Sequence, residues 1–450
     1  MGSASATISA SPSTADADAP AVFDRPSIAR SLPNARHSTP ALAHKPLRST
    51  HCGRGGRYHR AVRIVHVINC LSLGGAERQL LRLAAAQQRS GDEATIVTLL
   101  DKDTLRADAD RAGIPVIPLG LRGGLGLPRT LLALTRTLTR LEPEVVQSWL
   151  YWANLATMLA LGRSPTRRRF PLAWNIRQTL PEQSRERWSM RQAIRLSARW
   201  SRRTNALVYN AETARDQHRS LGYHAPLEVV IPNAIEIEAA PHGATARHAA
   251  RRSLDLPADA RVIAHAARLH PMKDHAGFLH AVAPLLERHR DCVVILFGRD
   301  VGAERFREVF DRLPALGVAH AAQRLRFLGE RLDLAALLPA ADCFVSSSAW
   351  GEAFPNVVAE AMAAAVAVVA TDVGDARAIV GDAGRIVPAR NPLALTDAIE
   401  SLLALDPAAR DELGRTARLR IAERTSIDSV LREYRHLWSS IARPSNEAAN

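Results

Sequence analysis

Glu352 and Glu360 stand eight residues apart in the segment Glu352-Ala353-Phe354-Pro355-Asn356-Val357-Val358-Ala359-Glu360. An ionised carboxylate only accepts hydrogen bonds, so each is suited to hydroxyl groups. A strand-like run, Cys343-Phe344-Val345-Ser346-Ser347-Ser348, precedes the segment, and a helix-like run from Val357 to Ala365 follows it. Pro355 suits the first turn of that helix, where its missing N–H costs nothing. The N-terminus of a helix offers free N–H groups and a partial positive charge, a setting for phosphate. Hydroxyls and phosphates held side by side describe a nucleotide sugar.

Two further segments carry chemistry of the same kind. Arg268-Leu269-His270-Pro271-Met272-Lys273-Asp274 follows a strand-like run, and its Arg and Lys, five residues apart, can both reach a diphosphate. Arg supplies a planar fork and Lys a point charge. Ligands of open α/β sheets bind outside the carboxyl ends of the strands, which is where this loop falls. Leu73-Gly74-Gly75-Ala76-Glu77-Arg78 ends another strand-like run and opens a helix. Its glycines let a backbone approach phosphate closely, although it is not the G-x-G-x-x-G of a dinucleotide site. Two D-x-D triplets, Asp101-Lys102-Asp103 and Asp108-Ala109-Asp110, could hold a divalent cation but read as a solvated loop and a helix surface. His265, His270, His275 and His280 recur at a spacing of five, which scatters them around a helix and lacks the i,i+4 geometry of a metal pair. No metal site is expected.

The run Trp350-Gly351-Glu352-Ala353-Phe354-Pro355-Asn356, with Glu360-Ala361-Met362 after it, resembles the donor-sugar motif of retaining family-4, group 1 glycosyltransferases of the GT-B type. The resemblance spans roughly residues 62–440 and implies two doubly wound Rossmann-like α/β domains facing across a cleft. It implies that Glu352 contacts hydroxyls of the donor sugar and Glu360 the nucleotide ribose, with the backbone at Phe354, Pro355 and Asn356 facing the sugar and phosphates. Arg268 and Lys273 would clamp the pyrophosphate and neutralise the leaving nucleoside diphosphate, so that no metal is needed. The Gly74-Gly75 loop would approach the diphosphate from the opposite domain. Gly298 and Arg331, in the runs Phe297-Gly298-Arg299 and Phe327-Leu328-Gly329-Glu330-Arg331, would lie near the base. Thr371-Asp372-Val373-Gly374-Asp375 resembles the family's run after the donor helix, with Ala378 near the place where a Glu is common. On the acceptor side, the segments holding Trp152 and Arg177 resemble a subgroup that builds bacterial surface polysaccharides. That subgroup often has His where Trp152 stands, and the indole's single polar atom is a donor only.

These groups need rigid elements beneath them. Strand-like runs are expected at Val62–Ile68, Ala94–Leu100, Ile114–Pro118, Val145–Trp149, Leu172–Ile176 and Ala206–Tyr209. Helical runs lie between them, such as Ala76–Arg89 and Leu131–Leu141. A turn follows at Ile231-Pro232-Asn233-Ala234, then a second series with strands at Arg261–Ala264, Cys292–Phe297, Arg324–Leu328, Cys343–Ser347 and Ala367–Thr371. Such alternation predicts parallel sheets covered by helices. The expected domains are an extension at 1–60, an acceptor domain at 61–235 and a donor domain at 236–425. A last helix from Ser426 to Ile441, within 426–450, would pack back on the first domain, as the resemblance implies.

At 450 residues and 47% hydrophobic content, two globular domains are expected, with no apolar run long enough to span a bilayer. Residues 1–60, rich in Ala, Ser, Pro, Thr and Arg, read as disordered and lack the apolar core of a secretory signal. Cys52, Cys70, Cys292 and Cys343 form no C-x-x-C pair, and three of them read as buried free thiols of a cytoplasmic protein. The net charge of +14 is local: residues 163–203 hold twelve Arg against Glu182 and Glu186, a net +10. The Arg-rich helix expected at Glu182–Arg203 has Met190, Ala193, Ile194, Ser197 and Trp200 on one face and arginines on the other. It reads either as a solvated face or as a peripheral contact with anionic lipid at the inner face of the cytoplasmic membrane.

The function expected is transfer of a sugar, with retention, from a nucleoside diphosphate sugar to a saccharide or lipid-linked saccharide acceptor in cell-surface polysaccharide synthesis. That donor is a co-substrate, and no cofactor is expected. A sugar-nucleotide epimerase of similar architecture would instead need carboxylate or His acid–base groups in the cleft. A non-catalytic nucleic-acid-binding protein would fit the charge, but no nucleic-acid motif is present and no nucleic-acid partner is expected.

Overall fold

Runs of Val, Ile, Leu and Ala that are apolar on both sides become strands buried between two helical layers. The computed structural model describes residues 61–72, 74–121, 126–162, 170–180, 187–302 and 322–442. The expectations for residues 1–60, for Arg163 to Arg169 and for the start of the Arg-rich helix at Glu182–Glu186 lie outside the described residues.

Seven parallel strands build the first sheet: β1 (Arg63–Ile68), β2 (Glu93–Thr98), β3 (Val116–Pro118), β4 (Val145–Trp149), β5 (Leu172–Ile176), β6 (Ala206–Tyr209) and β7 (Leu227–Val230). They run in the order β3-β2-β1-β4-β5-β6-β7. The helices between them are α1 (Gly75–Arg89), α2 (Arg106–Arg111), α3 (Leu127–Leu141), α4 (Tyr151–Gly162), α5 (Trp188–Ser201) and α6 (Glu212–Ser220). Apolar residues of α3, α4 and α5 share one core with one face of the sheet, and those of α1 and α2 share another with the opposite face.

The second sheet has six parallel strands: β8 (Arg261–Ala266), β9 (Cys292–Phe297), β10 (Leu325–Gly329), β11 (Cys343–Ser346), β12 (Val368–Thr371) and β13 (Gly384–Val387), in the order β10-β9-β8-β11-β12-β13. Its described helices are α7 (Gly243–Ser253), α8 (His275–Arg288), α9 (Leu334–Leu337), α10 (Asn356–Ala363), α11 (Ala376–Val380), α12 (Pro392–Leu403) and α13 (Pro407–Thr425). The final helix, α14 (Ile427–Ile441), returns to the first sheet. Val430, Leu431, Tyr434, Leu437 and Trp438 recur at helical spacing on one face and join the α1–α2 core. Trp438 Nε1 donates to Gln147 Oε1 at 2.7 Å, and Arg435 Nε to Asp92 Oδ2 at 2.7 Å.

In both sheets strand order reverses beside the first strand, between β1 and β4 and between β8 and β11. Crevices open at such reversals, outside the carboxyl ends of the strands. The chain crosses between sheets near Ile235 and again near Ser426, and the crossings are tied by Ile235 N donating to Thr425 O at 2.8 Å.

Several expectations change. The edge strands β7 and β13 were not foreseen, nor was α13; β7 is partly buried throughout and has no clean apolar alternation. Pro355 caps α10 rather than opening its first turn. The four His do not share a helix: His265 is on β8, His270 precedes a short 3-10 turn, and only His275 and His280 are on α8. Cys292 and Cys343 are buried free thiols, but Cys70 is only partly buried. Asp103 lies in a loop where it accepts from Leu71 N at 2.9 Å and Thr98 Oγ1 at 3.0 Å, while Asp108 and Asp110 pair with Arg111 and Arg106 on α2. Among the described residues no helix is long and apolar enough to cross a membrane.

Candidate active site

The loops after β1, β4, β5 and β6 face those after β8, β9, β10 and β11 across a cleft of roughly 860 Å³. Gly74, Gly75 and Arg177 line it from the first sheet. Arg268, Lys273, Gly298, Arg331, Glu352, Phe354 and Asn356 line it from the second.

The β8 loop is held by local chemistry. Asp274, in the left-handed conformation at φ 48°, caps α8 by accepting from Gly277 N at 3.1 Å. Ser347 Oγ donates to Lys273 O at 2.8 Å, and Ala349 N donates to Met272 O at 2.7 Å. Lys273 Nζ forms an ion pair with Glu352, whose Oε1 also accepts from Ser348 Oγ at 2.8 Å. Arg268 is exposed and has no carboxylate partner among the described residues; its contact is with Met272 sulfur at 3.8 Å. Two other cleft cations are neutralised: Arg299 by Glu330 at 3.3 Å and Arg331 by Asp333 at 2.7 Å. Gly298, at φ 140°, lies where an added Cβ would meet Ala267 O at 1.9 Å, so only glycine fits under the β8 loop.

The α10 N-terminus points into the same space. Val358 N donates to Pro355 O at 3.1 Å, while the N–H groups of Asn356 and Val357 have no backbone partner among the described residues. Gly75 lies opposite, and a Cβ there would sit 3.5 Å from Asn356 Nδ2. Asn356 Oδ1 accepts from Asn233 Nδ2 at 2.5 Å, and Asn233 Oδ1 accepts from Arg177 Nη2. Arg177 Nη1 also donates to Asn175 Oδ1 at 3.2 Å and Tyr434 OH at 3.3 Å, and its guanidinium lies 5.4 Å from the Trp149 ring centroid. Burial lowers the pKa of this guanidinium, with Tyr434 acting the other way.

Three expected site residues fall outside the cleft lining: Pro355, Glu360 and Trp152. Pro355, the cap of α10, is buried. Glu360 lies one turn further along that helix, where burial raises its carboxyl above the ordinary range while Arg82 and Arg78 act to lower it. Trp152 is exposed on α4 and does not line the cavity. Conversely, Arg78, Asn210, Asn233 and Arg299 line the cleft without having been singled out. Arg78 stands one turn into the helix after the glycines, a position from which it could have been read. Asn233 was visible only as part of a turn.

Carboxylates at the cleft are all engaged. Among the described lining residues they are Glu77, Glu330 and Glu352. Glu77 accepts from Ser72 Oγ at 3.1 Å, and the other two are in the ion pairs above. No histidine lines the cleft among the described residues.

The family model for glycosyl transferases group 1 matches residues 260–405, and that for Glycosyltransferase Family 4 matches residues 73–239. The chain is 34% identical over 211 residues to the D-inositol 3-phosphate glycosyltransferase of Corynebacterium urealyticum, covering 45% of this chain and 48% of that protein. It thus spans about half the length of that relative. The D-inositol 3-phosphate glycosyltransferase of Xylanimonas cellulosilytica is 30% identical over 385 residues, 78% of this chain and 87% of that protein. The crystal structure of Anabaena HepE with UDP superposes with a TM-score of 0.73 at 21% identity, covering 84% of this chain and all of that one, which shows the GT-B fold. With sequence and architecture agreeing from the first sheet through the second, the chain belongs to the group 1, family-4 glycosyltransferases.

Proposed function

We propose that this chain transfers a sugar from a nucleoside diphosphate sugar to an acceptor hydroxyl, with retention of configuration. The observation that carries the reading is the convergence of Arg268, Lys273, Glu352 and the α10 N-terminus on one cleft between the sheets. The diphosphate would lie against the α10 N-terminus, with Arg268 and Lys273 taking up the charge that grows on it as the sugar departs. Glu352 would hold sugar hydroxyls while its ion pair with Lys273 keeps both groups in register. Glu360 would reach the ribose only by a turn of its side chain toward the cleft. Gly298 and Arg331 would border the base. Since each lining carboxylate among the described residues is already engaged, the leaving phosphate is the base for the acceptor proton, which disfavours the epimerase reading. Neutralisation by Arg and Lys does the work a divalent ion does elsewhere, so turnover should persist in excess chelator.

Uridine diphosphate is the nucleotide favoured for the donor, from the ligand of HepE. For the acceptor, the names of the sequence relatives favour a phosphorylated cyclic polyol such as inositol 3-phosphate. A saccharide or lipid-linked saccharide of surface polysaccharide synthesis is the second candidate, carried by the segments around Trp152 and Arg177. The test is a melting-temperature screen across nucleotide sugars, followed by product analysis with each acceptor class. Lys273→Ala should lower turnover by roughly a hundredfold or more while leaving the fold intact. Near wild-type turnover by that variant, with unchanged donor binding, would overturn the assignment.

A further inference from the structure

Helices α3, α4 and α5 form one surface of unusual composition. α3 carries Arg129, Arg136 and Arg140, and α5 carries Arg191, Arg195 and Arg199, while none of the three helices contains an Asp or Glu. Arg202 and Arg203 continue the series just after α5, and both are exposed. None of these arginines makes an ion pair with a described residue. Elsewhere some surface arginines are paired, as Arg106 is by Asp110, Arg215 by Glu212 and Arg219 by Glu228, while others, such as Arg89, Arg252 and Arg268, make no ion pair with a described residue.

The same surface is also apolar. Of the eight large apolar side chains exposed among the described residues, five are here: Leu127 and Leu132 on α3, Trp152 on α4, and Trp188 and Leu196 on α5. Trp188, Arg191, Arg195, Leu196, Arg199 and Arg203 lie within one arc of α5 at 100° per residue, opposite the buried Ala193, Ile194, Ser197 and Ala198. Parallel strands impose a common direction on the helices that follow them, so the three N-termini lie at the cleft end of the layer. Leu127 and Trp188 are the first residues of their helices, and Trp152 is the second of its own. The apolar rim therefore lies at the cleft end of the layer, outside the residues that line the cleft itself.

We infer that this three-helix face docks the protein on an anionic lipid bilayer. Arginines on helices that hold no acidic residue meet anionic headgroups, and tryptophans settle at headgroup depth. A nucleic acid would also use arginine and tryptophan, but Leu127, Leu132 and Leu196 offer it neither stacking nor hydrogen bonds; a bilayer interface accommodates all three residue types. The contact is reversible, being made by side chains on a folded face. It brings the cleft end of this helical layer beside the lipid, where an acceptor carried on a membrane anchor would be presented. The face lies outside the donor cleft, so the inference does not depend on the identity of the donor.

Co-sedimentation of the full chain with vesicles tests this. The wild type should sediment with phosphatidylcholine vesicles containing phosphatidylglycerol at low salt, remain free with phosphatidylcholine alone, and be released as salt rises and the charges are screened. The triple variant Arg195→Gln/Arg199→Gln/Arg203→Gln should weaken partitioning at least about tenfold. Trp188→Ser/Leu196→Ser, which keeps every charge, should weaken it several-fold. Circular dichroism melts confirm that both variants fold. Indifference of the wild type to anionic vesicles at low salt overturns the inference, as does equal partitioning of both folded variants. Displacement from vesicles by duplex DNA at equal charge concentration would overturn it in favour of a nucleic-acid surface. If UDP fails to stabilise the wild type, the transfer reading is affected and the vesicle result stands.

Discussion

Lys273 and Glu352 are the closest-coupled charges of the cleft, and each has a second tie: Ser348 to Glu352, and Ser347 to the Lys273 carbonyl. An ion pair of this kind keeps a cation poised in a low-dielectric space without leaving it uncompensated. Beneath the same loop, Gly298 permits the backbone to pass close to Ala267. Gly298→Ala adds a Cβ to a left-handed residue that has no room for one. Its urea midpoint should fall by the equivalent of about 3 kcal/mol, and nucleotide binding should weaken with it as the Arg268 loop is displaced. An unchanged midpoint would show that the loop yields freely. Arg177 is a positioning residue, since its fork ties Tyr434 of the last helix to Asn233 of the crossover. Arg177→Lys keeps the charge but cannot reproduce the fork. It should destabilise the protein by roughly 2 kcal/mol. Turnover should fall more than donor affinity, because the Asn233–Asn356 contact is loosened.

Elements of the two sheets are joined by contacts that neither sheet makes alone. The N-terminus of α6 has no side-chain cap from its own domain. Asp375, just before α11, supplies one from the other domain, accepting from Glu212 N at 2.7 Å, Thr213 N at 3.1 Å and Thr213 Oγ1 at 2.6 Å. A carboxylate there satisfies orphan N–H groups and meets the positive end of the helix. Thr179 Oγ1 donating to Glu352 O at 2.9 Å adds a second tie beside the cleft. Asp375→Ala should cost about 1–2 kcal/mol of closure. Small-angle scattering would then report a larger radius of gyration, and the donor KM should rise several-fold with kcat less affected. An unchanged radius and KM would mean that closure rests on the other contacts. Within the second domain, buried Asp342 accepts from Val262 N at 2.7 Å and pairs with Arg251 at 2.8 Å and Arg410 at 3.1 Å, binding α7 and α13 to the sheet.

Four buried histidines contribute to the pH response of the whole molecule. Burial lowers His66, His218 and His275 to about 4 and His265 to about 3, from an ordinary 6.5. His66 shows why the neutral form is required: one ring nitrogen faces Gln87 Oε1 at 2.8 Å while the other accepts from Trp149 Nε1 at 3.3 Å. A proton on the second nitrogen would set donor against donor. The unfolded chain binds these protons below pH 6.5 and the folded chain does not. Their contribution is therefore complete above pH 6.5 and is lost as pH falls toward 4. Each ring is worth on the order of 3 kcal/mol over that span. The melting temperature should thus drop steeply between pH 7 and 5, and a flat profile would contradict the burial of these rings as neutral groups. Hydrogen exchange should report early loosening of α14, since Trp438 packs on His66 at 6.2 Å between ring centroids.

The strands at Val145–Trp149, Leu172–Ile176, Ala206–Tyr209 and Cys292–Phe297 were legible residue for residue, because a strand covered on both faces is a short run of largely apolar residues, broken here only by Gln147, Ser148 and Asn175. The loops that follow β1, β8 and β11 were legible for a related reason: glycine, arginine and an N-terminal helix turn carry their chemistry in a few consecutive residues. Edge strands were not, since partial exposure leaves them little pattern to read. Pairings across long separations were also hidden. That Lys273 meets Glu352 79 residues later, or that Asp375 caps a helix 163 residues earlier, follows from the approach of two sheets and from no local preference. Trp152 reads in sequence as a neighbour of the acceptor; its place around α4 leaves it exposed and outside the cleft lining, a position that only the packed helix reveals. Charge counts placed basicity in one segment, but only the packing of α3, α4 and α5 side by side assembled arginines and exposed leucines into one surface. Local sequence determines which segments form elements and where anions can be met; side-chain partnership is decided when those elements pack, because distance through space is set by topology.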